Sequence, residues 1–167
     1  MSEGARPATL DDLPRIEELI SLVRAELAPN RGGSLFLVRE AGWPAPGDDV
    51  RRSLKDDDRL AIVGTYDDVV FGVALVNIER LADDRRIGVL TNFLVEPEAR
   101  ESGIGEAMMN LVMDELRTLG CVGVDSVALP GDRETKNFFE SFGLKARLLT
   151  VHRAIDADAD DADDVAR

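Results

Sequence analysis

The stretch from Phe93 to Ala107 contains the residues best suited to bind an anionic ligand. An apolar segment ends at Val95, and a short loop leads into a segment with helical periodicity that begins at Gly103. Gly103 and Gly105 allow the backbone to turn tightly and a ligand to approach it closely. The unpaired amides of a first helical turn and the helix dipole favour an anion there. Because Arg100 adds a positive charge, the stretch predicts a phosphate-binding loop.

Two known nucleotide-binding motifs also contain paired glycines. The dinucleotide fingerprint requires a tighter turn and a small residue three positions after its second glycine, where this chain has Met108. Asp125, about twenty residues beyond the glycines, is the one residue that favours this motif. The Walker phosphate loop requires Lys directly after its last glycine, where this chain has Glu106. A dinucleotide-dependent oxidoreductase stays as the weaker alternative, and so does a helix start that binds no ligand.

The composition argues against several other kinds of site and partner. Cys121 is the only cysteine and His152 the only histidine, so we predict no metal site and no Ser-His-Asp triad. The net charge of -13 disfavours a nucleic-acid partner and would attract cationic amines or basic peptides. Since no apolar run approaches the length of a membrane span and no secretory signal is recognisable, we expect a cytoplasmic protein without a membrane partner.

Apolar periodicity predicts the helices that must position this loop. Residues three and four positions apart indicate one helix from about Asp11 to Leu27 and another from about Gly103 to Leu119. A brief helix is predicted around Val50 to Leu54, and a short one that Asp132 caps and Gly143 ends. The Pro- and Gly-rich residues 28–49 are predicted to be loop, with a short strand or turn at 35–38 and Trp43 as a candidate hydrophobic plug.

Apolar and β-branched runs between acidic turns predict the strands. We expect strands over the following ranges: 59–66, 69–81, 86–95, 122–129 and 144–155. Hairpins followed by a strand-helix-strand unit indicate an α+β fold with a mixed sheet. The acidic, low-complexity residues 156–167 are predicted to be a disordered tail, so the folded domain is expected to span residues 1–155.

Three separate parts of the chain resemble the Gcn5-related N-acetyltransferase (GNAT) family. Arg100, Gly103 and Gly105 match its Arg/Gln-x-x-Gly-x-Gly/Ala signature, preceded by a Val-x-Pro that commonly ends the fourth strand. Residues 6–14 are similar to the family's first strand and helix start, and residues 137–144 to its last helix and turn. The resemblance implies the acyl-CoA N-acyltransferase fold, with a mixed, mostly antiparallel sheet of about six to seven strands flanked by about four helices.

The resemblance also implies a co-substrate, acetyl-CoA, and a mode of binding. In the family, the fourth and fifth strands splay apart at a bulge and the pantetheine arm lies between them. The Val95 amide would then polarise the thioester carbonyl. The residues that this assigns to cofactor binding are Phe93, Leu94, Val95, Arg100, Glu101, Ser102, Gly103, Ile104, Gly105, Glu106, Asp132 and Phe139. The implied reaction is direct attack of a primary amine, from a small molecule or a peptide, in a ternary complex.

Several positions depart from the family pattern. Thr91 and Asn92 stand where members often carry a catalytic Glu. Asn92 is then the candidate to hold a water near the amine, and Asp125 and Glu79 are the candidate carboxylates for accepting its proton. Phe139 replaces the tyrosine that often protonates the departing thiolate, and Glu101 replaces a frequently basic residue. These departures leave open a non-catalytic acyl-CoA-binding sensor. Exposed strand edges suggest a homodimer.

Overall fold

The computed structural model describes residues 2–39 and 46–155, so Trp43 and the predicted acidic tail lie outside the described residues. One five-stranded sheet has the order β1-β2-β3-β4-β5, in which the first four strands are antiparallel and β5 runs parallel to β4. The strands are β1 Glu3–Pro7, β2 Arg59–Tyr66, β3 Val69–Arg80, β4 Arg86–Val95 and β5 Cys121–Asp125.

Five helices are present in the described part of the chain. They are α1 Leu13–Leu27, α2 Gly33–Arg39, α3 Pro46–Ser53, α4 Ile104–Thr118 and α5 Arg133–Ser141. A single 3-10 turn precedes α1 at Leu10–Asp12, and another at Pro97–Ala99 links β4 to the loop before α4. The α+β class with a mixed, mostly antiparallel sheet is therefore confirmed.

The alternation of apolar residues along β2 and β3 divides the core between the two faces of the sheet. Val63 and Val73 pack on one side with Ile16, Leu19 and Ile20 of α1 and Val50 of α3. The neighbouring Ile62 and Ala74 pack on the other side, with the buried residues of α4: Ile104, Met108, Met109, Val112 and Leu116. Because successive strand residues point to opposite faces, one pair of strands serves both helix layers.

Two glycines on the α4 face of the sheet leave room for Met108. A Cβ at Gly64 would lie 2.8 Å from Met108 Cγ and 2.4 Å from Ile104 Cγ2. A Cβ at Gly72 would lie 2.8 Å from Met108 Cε. Because Gly64 and Gly72 have no side chains, the first turns of α4 lie close to β2 and β3. This close packing fixes the position of the loop that precedes the helix.

Two details of the predicted fold outside its last two strands were wrong. The sheet has five strands among the described residues, not six or seven. Residues 33–39 form α2 rather than a strand or turn, because the buried Gly33 and Leu37 are spaced by one helical turn. A Cβ at Gly33 would lie only 2.0 Å from the Leu27 carbonyl oxygen, so a larger residue would not fit there.

The last two predicted strands are also corrected. β5 ends at Asp125 rather than near 129, because β4 turns away from it beyond that point. Residues 144–155 form no strand, and Leu148 and Leu149 are 77% and 83% exposed. Apolar content alone does not place a strand in a sheet, and this segment pairs with no strand among the described residues.

Candidate functional site

A cleft opens where β4 and β5 diverge. Their pairing ends at Val89 and Asp125, after which residues 90–95 and 126–130 line a cleft of about 860 Å³. The C-terminal part of α1, together with α2, the loop before α4 and the start of α5, encloses the rest. The parting of two neighbouring strands therefore creates a large open cleft.

A β-bulge at Thr91 marks the point of divergence. Leu75 of β3 pairs with Asn92 and Val76 pairs with Leu90, so Thr91 is an extra residue in β4. Its hydroxyl donates a 3.3 Å hydrogen bond to the Leu75 carbonyl. Leu90 and Leu94 consequently pack on opposite faces of the sheet although they are four residues apart. The bulge adds twist to β4 where it leaves β5.

The backbone of Val95 presents its polar groups to the cleft. The Glu96 amide donates to the Phe71 carbonyl of β3 at 2.8 Å. Because neighbouring amides of an extended strand point to opposite edges, the Val95 amide points away from β3. The Val95 carbonyl shares that side and accepts a 3.3 Å hydrogen bond from Arg100 Nε. The Val95 amide is therefore directed away from β3, toward the side on which β4 and β5 diverge.

The loop before α4 leaves the helix N-terminus uncapped. Glu101 and Gly103 adopt left-handed conformations, with φ of 66° and 87°. Gly103 is the N-cap residue, and no side chain caps the helix that begins at Ile104. The first-turn amides therefore have no intrahelical partners and are free to bind an anion. Glu101 and Glu106 are exposed at the cleft, and their negative charges disfavour the binding of an anion there.

A cluster of phenylalanines forms the wall between β4 and α5. The rings of Phe93 and Phe138 stack with centroids 5.2 Å apart, and Phe139 makes edge contacts with both. A Cβ at Gly105 would lie 3.1 Å from Phe138 Cε2, so this glycine allows α5 to pack closely on the start of α4. Phe139 is 7% exposed and lines the cleft, and it offers no hydroxyl group.

Arg100 is already paired with a carboxylate. Its terminal nitrogens donate to both oxygens of Glu26 at 2.9 and 2.7 Å, and Glu134 lies 3.8 Å away. The hydrogen bond to Glu26 is the main reason why the pKa of Arg100 is raised. Glu26 was not predicted from the sequence. Nothing in the spacing of two residues 74 positions apart indicates that they meet.

The cleft brings together all but three of the predicted site residues. Ser102 instead donates its hydroxyl to the Ala99 carbonyl at 2.6 Å, and Ile104 is 1% exposed in the core beneath α4. Asp125 does not line the cleft. Its carboxylate instead accepts hydrogen bonds from Arg147. That contact lowers the pKa of Asp125 and makes it a weaker base.

Asn92 and Asp132 have different environments along the cleft. Asn92 lines the wall formed by β4, and no hydrogen-bond partner for its side chain occurs within the described ranges. Asp132 caps α5, as predicted, by accepting a 3.0 Å hydrogen bond from the Thr135 amide. Asn92 thus has its amide group available to a water or a ligand, whereas one oxygen of Asp132 is committed to the helix.

The described residues contain neither a metal-binding cluster nor a membrane-spanning helix. In residues 2–39 and 46–155, no group of three or more His, Cys, Asp or Glu side chains is arranged to hold a metal ion. Within the same ranges, no helix has the length and apolar character needed to cross a membrane.

Comparison with protein families identifies the class of this chain. The family model for the Acetyltransferase (GNAT) family matches residues 25–144. The chain therefore belongs to the GNAT acetyltransferase family. No curated protein matches the sequence.

Solved structures share the fold at low sequence identity. A tetramutant of the BH1408 protein from Bacillus halodurans has a TM-score of 0.77 at 14% identity, covering 90% of this chain and 99% of its own. AAC(6')-Iy, in complex with the bisubstrate analogue CoA-S-monomethyl-acetylneamine, has a TM-score of 0.70 at 18% identity, with 92% and 99% covered. The aminoglycoside acetyltransferase meta-AAC0020, from an uncultured soil metagenomic sample, has a TM-score of 0.67 at 16% identity, with 92% and 95% covered.

These findings give the dinucleotide alternative no support. Met108 is fully buried against the sheet, where the dinucleotide fingerprint requires a small residue. Asp125, which would hold a ribose in that motif, is paired with Arg147. The sheet is mostly antiparallel rather than doubly wound and parallel.

Proposed function

We propose that this protein is an N-acetyltransferase that transfers the acetyl group of acetyl-CoA to a primary amine of a small molecule or peptide. The observation that carries the proposal is the cleft between the diverging β4 and β5, with the Val95 amide along one wall and the uncapped start of α4 at its end. Family membership supports it. The acceptor is proposed only as an amine, because the loops that select it contain no readable motif.

The polar and apolar groups that line the cleft support the binding of coenzyme A. The amides of the first turn of α4, with Arg100, would hold the phosphates, and the Val95 backbone would pair with the pantetheine arm. Phe93 and Phe139 supply an apolar wall. The acidic side chains of Glu101 and Glu106 reduce the affinity, so we expect binding of modest strength.

In the proposed reaction the co-substrate supplies an acetyl thioester. The chain's own groups polarise the thioester carbonyl and assist removal of the amine proton. The Val95 amide donates a hydrogen bond where negative charge develops on the carbonyl oxygen. The amine nitrogen bonds to the carbonyl carbon, and the carbon-sulfur bond breaks with its electron pair going to sulfur. The amine loses one proton and the departing thiolate gains one. Water must protonate that thiolate, because Phe139 occupies the tyrosine position and has no hydroxyl group.

We assign the removal of the amine proton to water held by Asn92. Its amide lines the cleft, whereas Asp125 lies outside the lining and is bonded to Arg147. A lysine-like amine has a pKa near 10.4, so only about one part in a thousand is neutral at pH 7. The role predicted for Asp125 is therefore the less favoured version of the proposal.

Release of free thiol from acetyl-CoA in the presence of a panel of amines tests this function. The panel should include amino acids, polyamines, aminoglycosides and peptides with free N-termini. We expect amine-dependent thiol release together with an acetylated product of the matching mass. Absence of turnover with every amine, under conditions where calorimetry shows acetyl-CoA binding, would instead establish the second candidate.

The second candidate is a sensor that binds acyl-CoA without turning it over. Phe139, Thr91 and Asn92 favour it, because none of these side chains can act as a general acid or base at neutral pH. The cleft and its phosphate-binding loop would be retained for binding alone. Amine-dependent product formation would exclude this candidate.

A homodimer is proposed on the exposed segment 144–155. Three basic residues and no acidic ones occur in it, in a chain whose net charge is -13. Its apolar residues Leu148, Leu149 and Val151 are 77%, 83% and 92% exposed. The outer edge of β5 has no partner strand among the described residues. A second copy would offer this segment both an acidic surface and a strand edge.

Analytical ultracentrifugation tests the proposed homodimer. The wild type should form a dimer that a Leu148→Glu/Leu149→Glu variant loses, and a monomeric wild type would contradict the proposal.

A further inference from the structure

Glu26 is paired with Arg100, the cationic residue proposed to bind the phosphates of coenzyme A. It lies in the last turn of α1, far from the glycine loop in sequence, and is 44% exposed. Both of its oxygens accept hydrogen bonds from Arg100, at 2.9 and 2.7 Å. Two-point pairing of this kind uses the planar fork of the guanidinium group most fully.

Few of the Arg100 donors remain for a ligand. Nε donates to the Val95 carbonyl at 3.3 Å, and the two terminal nitrogens face Glu26. The next acidic group, Glu134, lies 3.8 Å from one of the same nitrogens. Three of its five N–H groups are thus engaged, so a phosphate that binds Arg100 must share the guanidinium with Glu26 or displace it. In either case the Glu26 carboxylate would lie close to the phosphate and repel it.

We propose that Glu26 is an affinity-determining residue that competes with the phosphates of coenzyme A for Arg100. The inference rests on the proposed function, because it assumes that coenzyme A binds this cleft. It adds a role for a residue outside the family signature. Coenzyme A binding should thus be weaker in this chain than in a variant whose residue 26 is neutral.

Neutralising Glu26 provides the direct test. Isothermal calorimetry with coenzyme A should give a Kd about three- to tenfold lower for Glu26→Gln than for the wild type, the range expected for loss of a partly exposed ion pair and of one nearby like charge. Glu17→Gln is the matched control, because it removes the same charge from the same helix without a contact to Arg100. Its Kd should stay within about twofold of the wild type.

A double-mutant cycle separates competition from a general field effect. Arg100→Gln should weaken coenzyme A binding, and adding Glu26→Gln to it should tighten binding by no more than about twofold. Competition is overturned if the full gain persists without Arg100, if Glu17→Gln gives the same gain, or if Glu26→Gln binds no tighter than the wild type. Absence of coenzyme A binding by every variant and the wild type would reject the proposed function itself.

Discussion

Asp12 accepts hydrogen bonds from both terminal guanidinium nitrogens of Arg6, at 2.7 and 2.8 Å. The same carboxylate accepts from the amide and the hydroxyl of Thr9, at 2.8 and 3.0 Å. Asp12 is only 8% exposed, so its charge depends on these partners. The ion pair joins β1 to the turn that precedes α1.

Acid should weaken the fold through Asp12. The hydrogen bond from Arg6 is the main cause that lowers the pKa of Asp12 to about 2, against the effect of burial. A carboxyl with a lowered folded-state pKa stabilises the fold above its unfolded pKa, near 3.9, and loses that contribution as the pH falls toward 2. Asp12→Asn should therefore reduce the free energy of unfolding at pH 7 by about 1–2 kcal/mol.

Urea unfolding of the wild type and Asp12→Asn measures this effect at several pH values. The difference between the two proteins should shrink as the pH falls from 5 to about 2. Asp11→Asn is the matched control, because Asp11 is exposed and adjacent in sequence. A difference that does not change over this pH range would contradict the assignment.

Gly64 should tolerate no side chain, because α4 packs directly on it. A Cβ there would lie 2.4 Å from Ile104 Cγ2, and Ile104 is 1% exposed. Gly64→Ala should lower the free energy of unfolding by about 1–3 kcal/mol. Gly123→Ala is the control, since no atom lies within 4 Å of a Cβ at that position, and it should stay within about 0.5 kcal/mol of the wild type. The midpoint of urea unfolding measures both, and equal midpoints would contradict the packing argument.

The sequence predicted those elements whose pattern is local. β2 and β4 have the predicted bounds, because their apolar runs end at acidic turns or at a proline-containing loop. The position of Gly103 at the start of α4 was also predictable, because it needs only the glycine pattern. The segment 144–155 was misassigned, since apolar content shows that a segment could pair but not that a partner strand is available.

The charge pairs in and beside the cleft could not be predicted, because they join residues that are distant in sequence. Neither the Glu26 contact with Arg100 nor the Arg147 contact with Asp125 has a local signal. The bulge at Thr91 came only from the resemblance, because the residues of β4 contain no glycine or proline at that point. Tertiary packing determines which exposed charged residues form ion pairs. A single sequence therefore predicts the location of the site better than it predicts which charged side chains are free to bind a ligand.

Phe139→Tyr should help to distinguish an enzyme from a sensor. The residue lines the cleft and replaces a tyrosine that often protonates the departing thiolate in the family. If the chain is an acetyltransferase, a restored hydroxyl should raise kcat by about three- to tenfold, because water already performs the protonation. Phe142→Tyr, in the same aromatic cluster but outside the cleft lining, should leave kcat unchanged. Thiol release at saturating acetyl-CoA gives both values, and equal responses would contradict a specific role for position 139.

Asn92 and Asp125 should respond differently to substitution. Asn92→Ala should lower kcat about tenfold with little change in the Kd for coenzyme A, because it removes the group proposed to hold the water that accepts the amine proton. Asp125→Asn should leave kcat near the wild-type value, since its carboxylate is bonded to Arg147 and lies outside the cleft lining.

The pH profile completes this test. With a water acceptor and an alkylamine substrate, kcat/KM should rise with pH between 7 and 9 for the wild type and Asp125→Asn alike, because the neutral amine increases about tenfold per pH unit. A loss of turnover in Asp125→Asn, with the acidic limb of the profile displaced, would restore Asp125 as the base. Unchanged kcat in Asn92→Ala would remove Asn92 from the mechanism and leave bulk water in the cleft as the proton acceptor.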